Sequence, residues 1–403
     1  MYSNKRWLYL GVGTVLLVFC GLIYGWSLFR DPFSQVYTNW SLSQLSMTFT
    51  ISMVFFCLGG FIAGKLSAKL KPRSIIMLSA VLLLVGFFGV SRLNPENPSS
   101  SLTMLYIFYG VLGGTGVGFS YNSVISTMNK WFPDKPGLAS GVMMMGFGLG
   151  ALILGSLATS LIASQGIFST FLILGVAIFV VLMIGSLFIK NPEVQQSASV
   201  KLEGYTPGQM MKTASFWIFV LWCVIANSAG LMVVNSAASI ALAFGAPAIV
   251  GMIVSVFNGV GRVIIGGIFD RAGRKATMLI NMIIMAAGGA LLLIGAKTSA
   301  MIFILIGLLC MGTSYGGNPT ISSAFINREY GPKHFAVNFS LGNFSLIPAS
   351  ILGPMISSKL IENAGGAYDT TFAAILICAA GAFVLWILLN GACRKKRKSK
   401  KQL

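Results

Sequence analysis

The chain has 403 residues, of which 56% are apolar and only 9% charged, with a mean hydropathy of +0.83. A soluble globule usually carries about 25% charge, so soluble enzymes are excluded. The net charge of +19 would suggest nucleic acid in a soluble protein, but its placement along the chain assigns it to membrane topology, and no nucleic-acid partner is expected.

Apolar stretches of about 20 residues, each enough to cross a hydrocarbon core as a helix, are separated by charged or Pro/Gly-rich clusters. They predict helices over residues 7–29, 43–65, 74–92, 102–126, 138–163 and 167–190. After a polar interval come 216–240, 247–269, 277–296, 300–325, 336–361 and 368–391. A β-barrel would alternate over roughly ten-residue segments instead. The first stretch follows Lys5 and Arg6 but is too long for a signal-peptide core and lacks a small-x-small cleavage site, so it is expected to be retained. The expected fold is all-α integral membrane, twelve transmembrane helices in two pseudo-symmetric six-helix bundles. The expected domains are an N-terminal bundle 1–190, a cytoplasmic linker 191–215, a C-terminal bundle 216–391 and a basic cytoplasmic tail 392–403.

Sorting the Lys and Arg residues over these spans leaves only Arg30, Arg92, Lys297 and Lys359 on one side and Arg262 inside a span. All the others fall on the opposite side, which by the positive-inside rule makes both termini cytoplasmic. The tail CRKKRKSKKQL is expected to lie against anionic lipids of the inner leaflet. Six Cys residues without a CxxC spacing and one His, His334, indicate neither a disulfide framework nor a metal site, and no cofactor is expected. GVLGGTGVG at Gly110 follows no strand, so it is read as a helix-packing seam of Gly110, Gly114 and Gly118 rather than a nucleotide loop.

Two internal echoes lie about half the chain apart: GKLSAKLKPR from Gly64, between the second and third spans, and GGIFDRAGRK from Gly266, between the eighth and ninth. Repeated six-helix halves around a polar loop describe a carrier with its substrate site near mid-membrane. The second echo resembles the signature of the major facilitator superfamily, of the type GxLaDRxGRR. Gly266, Asp270, Arg271, Gly273 and Arg274 supply its expected gating motif. The first echo departs from the signature, with Ala68 in the place of the Asp and Lys71 in that of the second Gly. Within the superfamily the chain looks like the oxalate/formate antiporter family, which is related to the monocarboxylate transporters. The likeness rests on RWLYLGVGT at Arg6, LIYGWSLF at Leu22, QLSMTFTISMVFFCLGGFIAGKL at Gln44, NKWFPDKPGLASG at Asn129 and NGVGRVIIGGIFDRAGRK at Asn258.

Arg262 stands eight residues before Asp270, roughly 12 Å along the eighth helix and close to mid-membrane. A guanidinium at that depth costs at least about 2.5–3.5 kcal/mol unless it meets a partner or water. None of the nine acidic residues is expected there, so a carboxylate substrate is the natural counterion, held by two parallel hydrogen bonds. The alternative is a structural Arg that caps the carbonyls of a broken helix. The repeat places Gly60 at the equivalent position, so the scaffold itself does not require the charge. The resemblance implies the same role, because the matching Arg binds the substrate carboxylate in that family.

Asn258 lies one turn before Arg262 on the same face. Animal monocarboxylate transporters commonly carry an acid at this spacing, implicated in proton coupling, whereas an amide holds no transferable proton. The resemblance also associates oxalate transport with a Lys in the eleventh helix, where this chain has Asn343. One buried positive charge suits one carboxylate. Tyr121 and Asn122 of the fourth span, Tyr315 and Asn318 of the tenth and Tyr24 of the first are candidates to orient a small acid, each with packing as the alternative.

The expected function is secondary active or exchange transport of small organic anions, most of all monocarboxylates, by a monomer in the bacterial inner membrane. The alternatives are an oxalate/formate antiporter and a non-transporting membrane sensor with a carrier fold. Membrane-embedded enzymes need intramembrane His, Asp or Glu, which the spans lack apart from Asp369 at the very start of the last, so no enzyme activity is expected.

Overall fold

The computed structural model describes residues 5–192, 203–234, 236–247 and 250–401. Residues 193–202 of the expected linker, with Lys201, and residues 402–403 of the expected tail lie outside the described residues. Among the described residues the structure is helical with no strand. Helix α1 spans Lys5–Val36, α2 Leu42–Leu66, α3 Pro72–Ser91 and α4 Pro98–Trp131. A continuous helical stretch Pro136–Ser186 is divided at Gly166 (φ 77°, ψ 167°) into α5 (136–165) and α6 (167–186). Helix α7 is Ala214–Val234, and Val250–Thr298 is divided at Gly273 (φ 73°, ψ 177°) into α8 (250–272) and α9 (274–298). Helices α10 (Met301–Tyr330), α11 (Phe335–Asn363) and α12 (Asp369–Lys401) complete the twelve.

Local chemistry sets the starts. Proline occupies the first turn of α3, α4 and α5, where its missing N–H leaves no helical bond unmade. Ser41 and Gln44 form a reciprocal cap on α2: the Gln44 amide donates to Ser41 Oγ at 3.1 Å, and the Ser41 amide to Gln44 Oε1 at 2.8 Å. The turns at Gly166 and Gly273 use a left-handed backbone open to glycine and strained for a residue with a Cβ, and they let two spans follow each other without a loop.

Four expected helices have different outlines. Helix α1 continues through Arg30, Asp31 and Pro32 to Val36, and tightens to a 3-10 turn at Gly21–Gly25. Helix α4 carries a wider π turn at Tyr106–Gly113. Helix α7 ends at Val234 rather than 240, and a separate turn of helix covers Ala237–Ala243. Helix α11 is interrupted between Asn343 and Leu346, because Pro348 has no N–H for the Phe344 carbonyl; that carbonyl accepts from the Ile347 amide at 3.2 Å instead.

The chain divides into two compact units. Unit 1 is Met1–Pro133, Val142–Glu203 and His334–Leu341; unit 2 is Asp134–Gly141, Gly204–Lys333 and Gly342–Leu403. In unit 1, α4 is the central helix, buried almost continuously from Gly114 to Asn129. Gly114 and Gly118 lie against the Ser52 and Phe56 carbonyls of α2, the close seam expected from their spacing. In unit 2, α10 is central. Gly312 and Gly316 abut the Val254 and Asn258 carbonyls of α8, and Gly307 meets Leu292 and the Gly288 carbonyl of α9. Residues 204–215 of the expected linker belong to unit 2, where the Tyr205 amide donates to the Tyr330 carbonyl at 2.7 Å and Thr206 caps a short helix, Pro207–Met211.

Candidate functional site

Arg262 lies on α8 with 3% of its surface exposed. Its Nε and Nη2 both donate to Asn258 Oδ1, at 3.4 Å each. The pair is one helical turn apart, so the backbone itself sets the spacing. Asn258 is in turn held by the glycine seam, because Gly316 of α10 sits on its carbonyl and Gly261 of α8 sits on Thr313. The amide oxygen steadies the guanidinium, and its dipole offsets part of the desolvation cost.

The other unit 2 candidates are held in distinct ways. The Tyr315 ring packs with Leu231 of α7 and Ala349 of α11, and rests on Gly230. Asn318 is buried toward α9, where its Oδ1 accepts from Asn281 Nδ2 at 2.8 Å; Ser314 Oγ donates to the Asn281 carbonyl at 3.1 Å. Asn343 is buried beside the interruption of α11. Asn281 escaped sequence reading because a single Asn in an apolar span carries no signal of its partner.

In unit 1 the candidates form an aromatic wall. The Tyr121 ring meets Phe147 at 4.8 Å and Phe56 at 5.1 Å between centroids and stacks with Phe339 at 6.1 Å. Tyr24, in the 3-10 turn of α1, meets the same Phe147 edge-on at 5.2 Å. Phe147 is the hub, and it was hidden in the run MMMGFGLG, where a glycine seam dominates the pattern. Asn122 Nδ2 donates to the Ala336 carbonyl at 2.9 Å and to Ser340 Oγ at 2.5 Å.

The residues of the expected gating motif are brought together within unit 2. Asp270 Oδ1 accepts from the Gly137 amide at 2.8 Å and its Oδ2 from the Leu138 amide at 2.7 Å. Those are first-turn donors of α5, so a carboxylate meets the positive end of a helix dipole. Gly266 and Gly137 allow the backbones to touch, and Gly141, one turn further, lies on the Arg262 carbonyl. Gly273 makes the turn into α9, and Arg271 is exposed. Arg274 turns inward: its Nε is 3.8 Å from Glu329 Oε1, its Nη2 donates to Asn390 Oδ1 at 3.0 Å and its Nη1 to Cys393 Sγ at 3.3 Å. It braces α9 against α10 and α12.

Twelve apolar helices with a repeated motif at two helix-helix turns define a multi-pass membrane carrier fold. The chain belongs to the Major Facilitator Superfamily, whose family model matches residues 15–347. It is 28% identical over 349 residues to the uncharacterized MFS-type transporter YhjX of Escherichia coli, covering 84% of each chain. It is also 28% identical over 400 residues to the oxalate:formate antiporter of Oxalobacter formigenes, covering 96% of this chain and 91% of the relative. Monocarboxylate transporter 10 of Mus musculus is 23% identical over 363 residues, with 85% and 68% covered. The solved structure of the proton:xylose symporter XylE superposes with a TM-score of 0.72 over 95% of this chain and 96% of that one; at 16% identity it shows the fold alone.

Proposed function

We propose that this chain carries small organic anions, most of all monocarboxylates, across the membrane by alternating access, with Arg262 binding the carboxylate. The observation that carries the reading is a guanidinium buried in a membrane span, with the Asn258 amide oxygen among its acceptors at 3.4 Å. The names of the relatives support the substrate class, since they include formate, oxalate and monocarboxylates. Asn258 orients Arg262. Tyr315 and Asn343 in unit 2, and Tyr121 and Tyr24 in unit 1, are proposed to shape the path for a small acid. Asn318 and Asn122 were expected in the same role, and it stays with them as a proposal beside the bonds described above. Asp270, with Gly266 and Gly137, closes the path at one end. With an amide at 258, exchange or facilitated flux without direct proton coupling is expected.

The placement proposed for the protein is the bacterial inner membrane, as a monomer with both termini, the 191–215 linker and the basic tail on the cytoplasmic side. The tail is proposed to meet anionic lipids there. The second reading, oxalate/formate exchange, is favoured by the antiporter relative.

The deciding experiment is a thermal-shift screen of the purified protein against formate, acetate, lactate, pyruvate and oxalate, repeated on Arg262→Ala. Stabilisation by monocarboxylates that follows mass action and disappears in the variant is the expected result. Stabilisation that survives in Arg262→Ala removes the arginine from the site. Stabilisation by oxalate above all others selects the second reading.

A further inference from the structure

Residues 334–341 belong to unit 1, although the chain on either side of them belongs to unit 2. Four polar groups hold them there. Asn122 of α4 has two amide protons, and they go to the Ala336 carbonyl and to Ser340 Oγ. The single Ser340 proton has two acceptors at 2.8 Å, the Gly60 carbonyl of α2 and the Ala336 carbonyl one turn back in its own helix. The groups form a chain from α4 through α11 to α2 in which every donor is used. Asn122 and Ser340 are each 1% exposed. Gly64, one turn from Gly60, lies against the Ala336 carbonyl and Val337 Cα, where any side chain would hold the segment off.

We propose that Asn122, Ser340 and the Gly60 carbonyl form an uncharged latch that holds residues 334–341 on α2 and α4 and releases them once per transport cycle. Two observations distinguish a latch from ordinary packing. The repeat motif at this end of unit 1 lacks the acid that Asp270 provides in unit 2, since Ala68 takes its place, so closure here depends on neutral groups. Asn122 Oδ1 is buried and has no hydrogen-bond partner among the described residues. A closed state that leaves one acceptor unsatisfied gives back that cost when the amide reaches water, so the contact is reversible by construction. Asn122 therefore acts on the rate of opening, apart from any contact with the carried anion.

The test needs no knowledge of the anion. Backbone hydrogen exchange of residues 335–343 is followed in the purified protein, in Ser340→Ala and in Asn122→Asp, which keeps the shape of the side chain but has no amide protons to give. Exchange in this segment is expected to rise about tenfold in Ser340→Ala and further in Asn122→Asp, with residues 260–268 of α8 unchanged. Unchanged exchange at 335–343 in both variants overturns the latch, as does an equal rise in all helices, which marks general unfolding. Because the anion assignment is read separately, by thermal shift with formate and oxalate, failure of either idea leaves the other standing. Loss of that thermal shift in both latch variants with no change in exchange would make Asn122 and Ser340 ligand groups instead.

Discussion

The two repeat motifs close the same kind of backbone contact with different chemistry. In unit 2, Gly266 meets Gly137 and the clasp is charged, with Asp270 on two α5 amides. In unit 1, Gly64 meets Ala336 and the clasp is neutral, with Ser340 on the Gly60 carbonyl and Asn122 on Ser340. The position that distinguishes them is the one a helical turn before the glycine: Arg262 in unit 2 and Gly60 in unit 1. Where no side chain stands, a hydroxyl can bridge the bare carbonyl. Where the guanidinium stands, the facing residue is Gly141, which has no hydroxyl to offer, and closure moves two turns along to Asp270. On the proposed reading, the half that carries the anion-binding charge is the half that closes with a carboxylate.

The largest effect should come from removing that charge. Arg262→Ala is expected to lower uptake of labelled formate into proteoliposomes more than a hundredfold. Arg262→Lys, which keeps the charge but not the two-pronged donor edge, should lose at least tenfold. Both should elute as folded monomers, because Gly60 serves in the same helical position. Near-normal uptake by the Ala variant would erase the division of labour between the halves.

How much of this was legible in the sequence follows the range of the forces involved. The twelve spans were readable because hydrocarbon thickness imposes a local length. Arg262 was readable because a cation inside a span is rare on energetic grounds alone. The interruption of α11 was written in Pro348, but whether a proline bends or breaks a helix depends on who accepts the freed bonds, here Ile347 with Phe344. The neutral latch was invisible, since Asn122 and Ser340 are 218 residues apart and neither type is unusual in a membrane helix. Arg274 was read as part of a gate from its motif. Its partners Glu329, Asn390 and Cys393 come from two other helices, which no local pattern could name.

The next effect concerns substrate charge. With Arg262 as the one cation assigned to the site, a dianion would bury an uncompensated negative charge at a cost of several kcal/mol. Formate, lactate or pyruvate should therefore outcompete oxalate for labelled monocarboxylate uptake at a pH where oxalate is fully ionised. Asn343→Lys should reverse the order by tens of fold, because the interruption of α11 buries that residue in the same unit as Arg262. Oxalate winning in the unmodified protein would mean that a second cation reaches the site.

A smaller effect tests the charged clasp. Asp270→Asn can still accept one of the two α5 amides but turns an N–H₂ toward the other and removes the charge at the helix end. The loss should be about 2 kcal/mol. Hydrogen exchange at residues 137–141 should rise about tenfold or more, with 335–343 unaffected. Equal changes in both segments would show that the clasps are one cooperative element rather than two.

The smallest effect, and the sharpest comparison, comes from giving unit 1 the acid it lacks. Ala68 holds the place of Asp270 in the repeat, and the first turn of α11 from Phe335 carries no acidic residue. A carboxylate near a helix N-terminus contributes about 0.3–1 kcal/mol. Lys65, Lys69 and Lys71 flank position 68 and would compete for the new charge. Ala68→Asp should therefore slow formate exchange at saturation only about two- to threefold, by holding 334–341 closed for longer, while half-saturation stays unchanged because Arg262 is untouched. Combined with Ser340→Ala, which weakens the same clasp, it should return turnover toward the unmodified rate. If Ala68→Asp changes neither turnover nor exchange at 335–343, the repeat register does not carry the carboxylate to that helix end. The neutral latch would then be a separate solution to closure rather than the counterpart of Asp270. If the double variant is instead slower than either single one, Ser340 and position 68 act on different steps of the cycle.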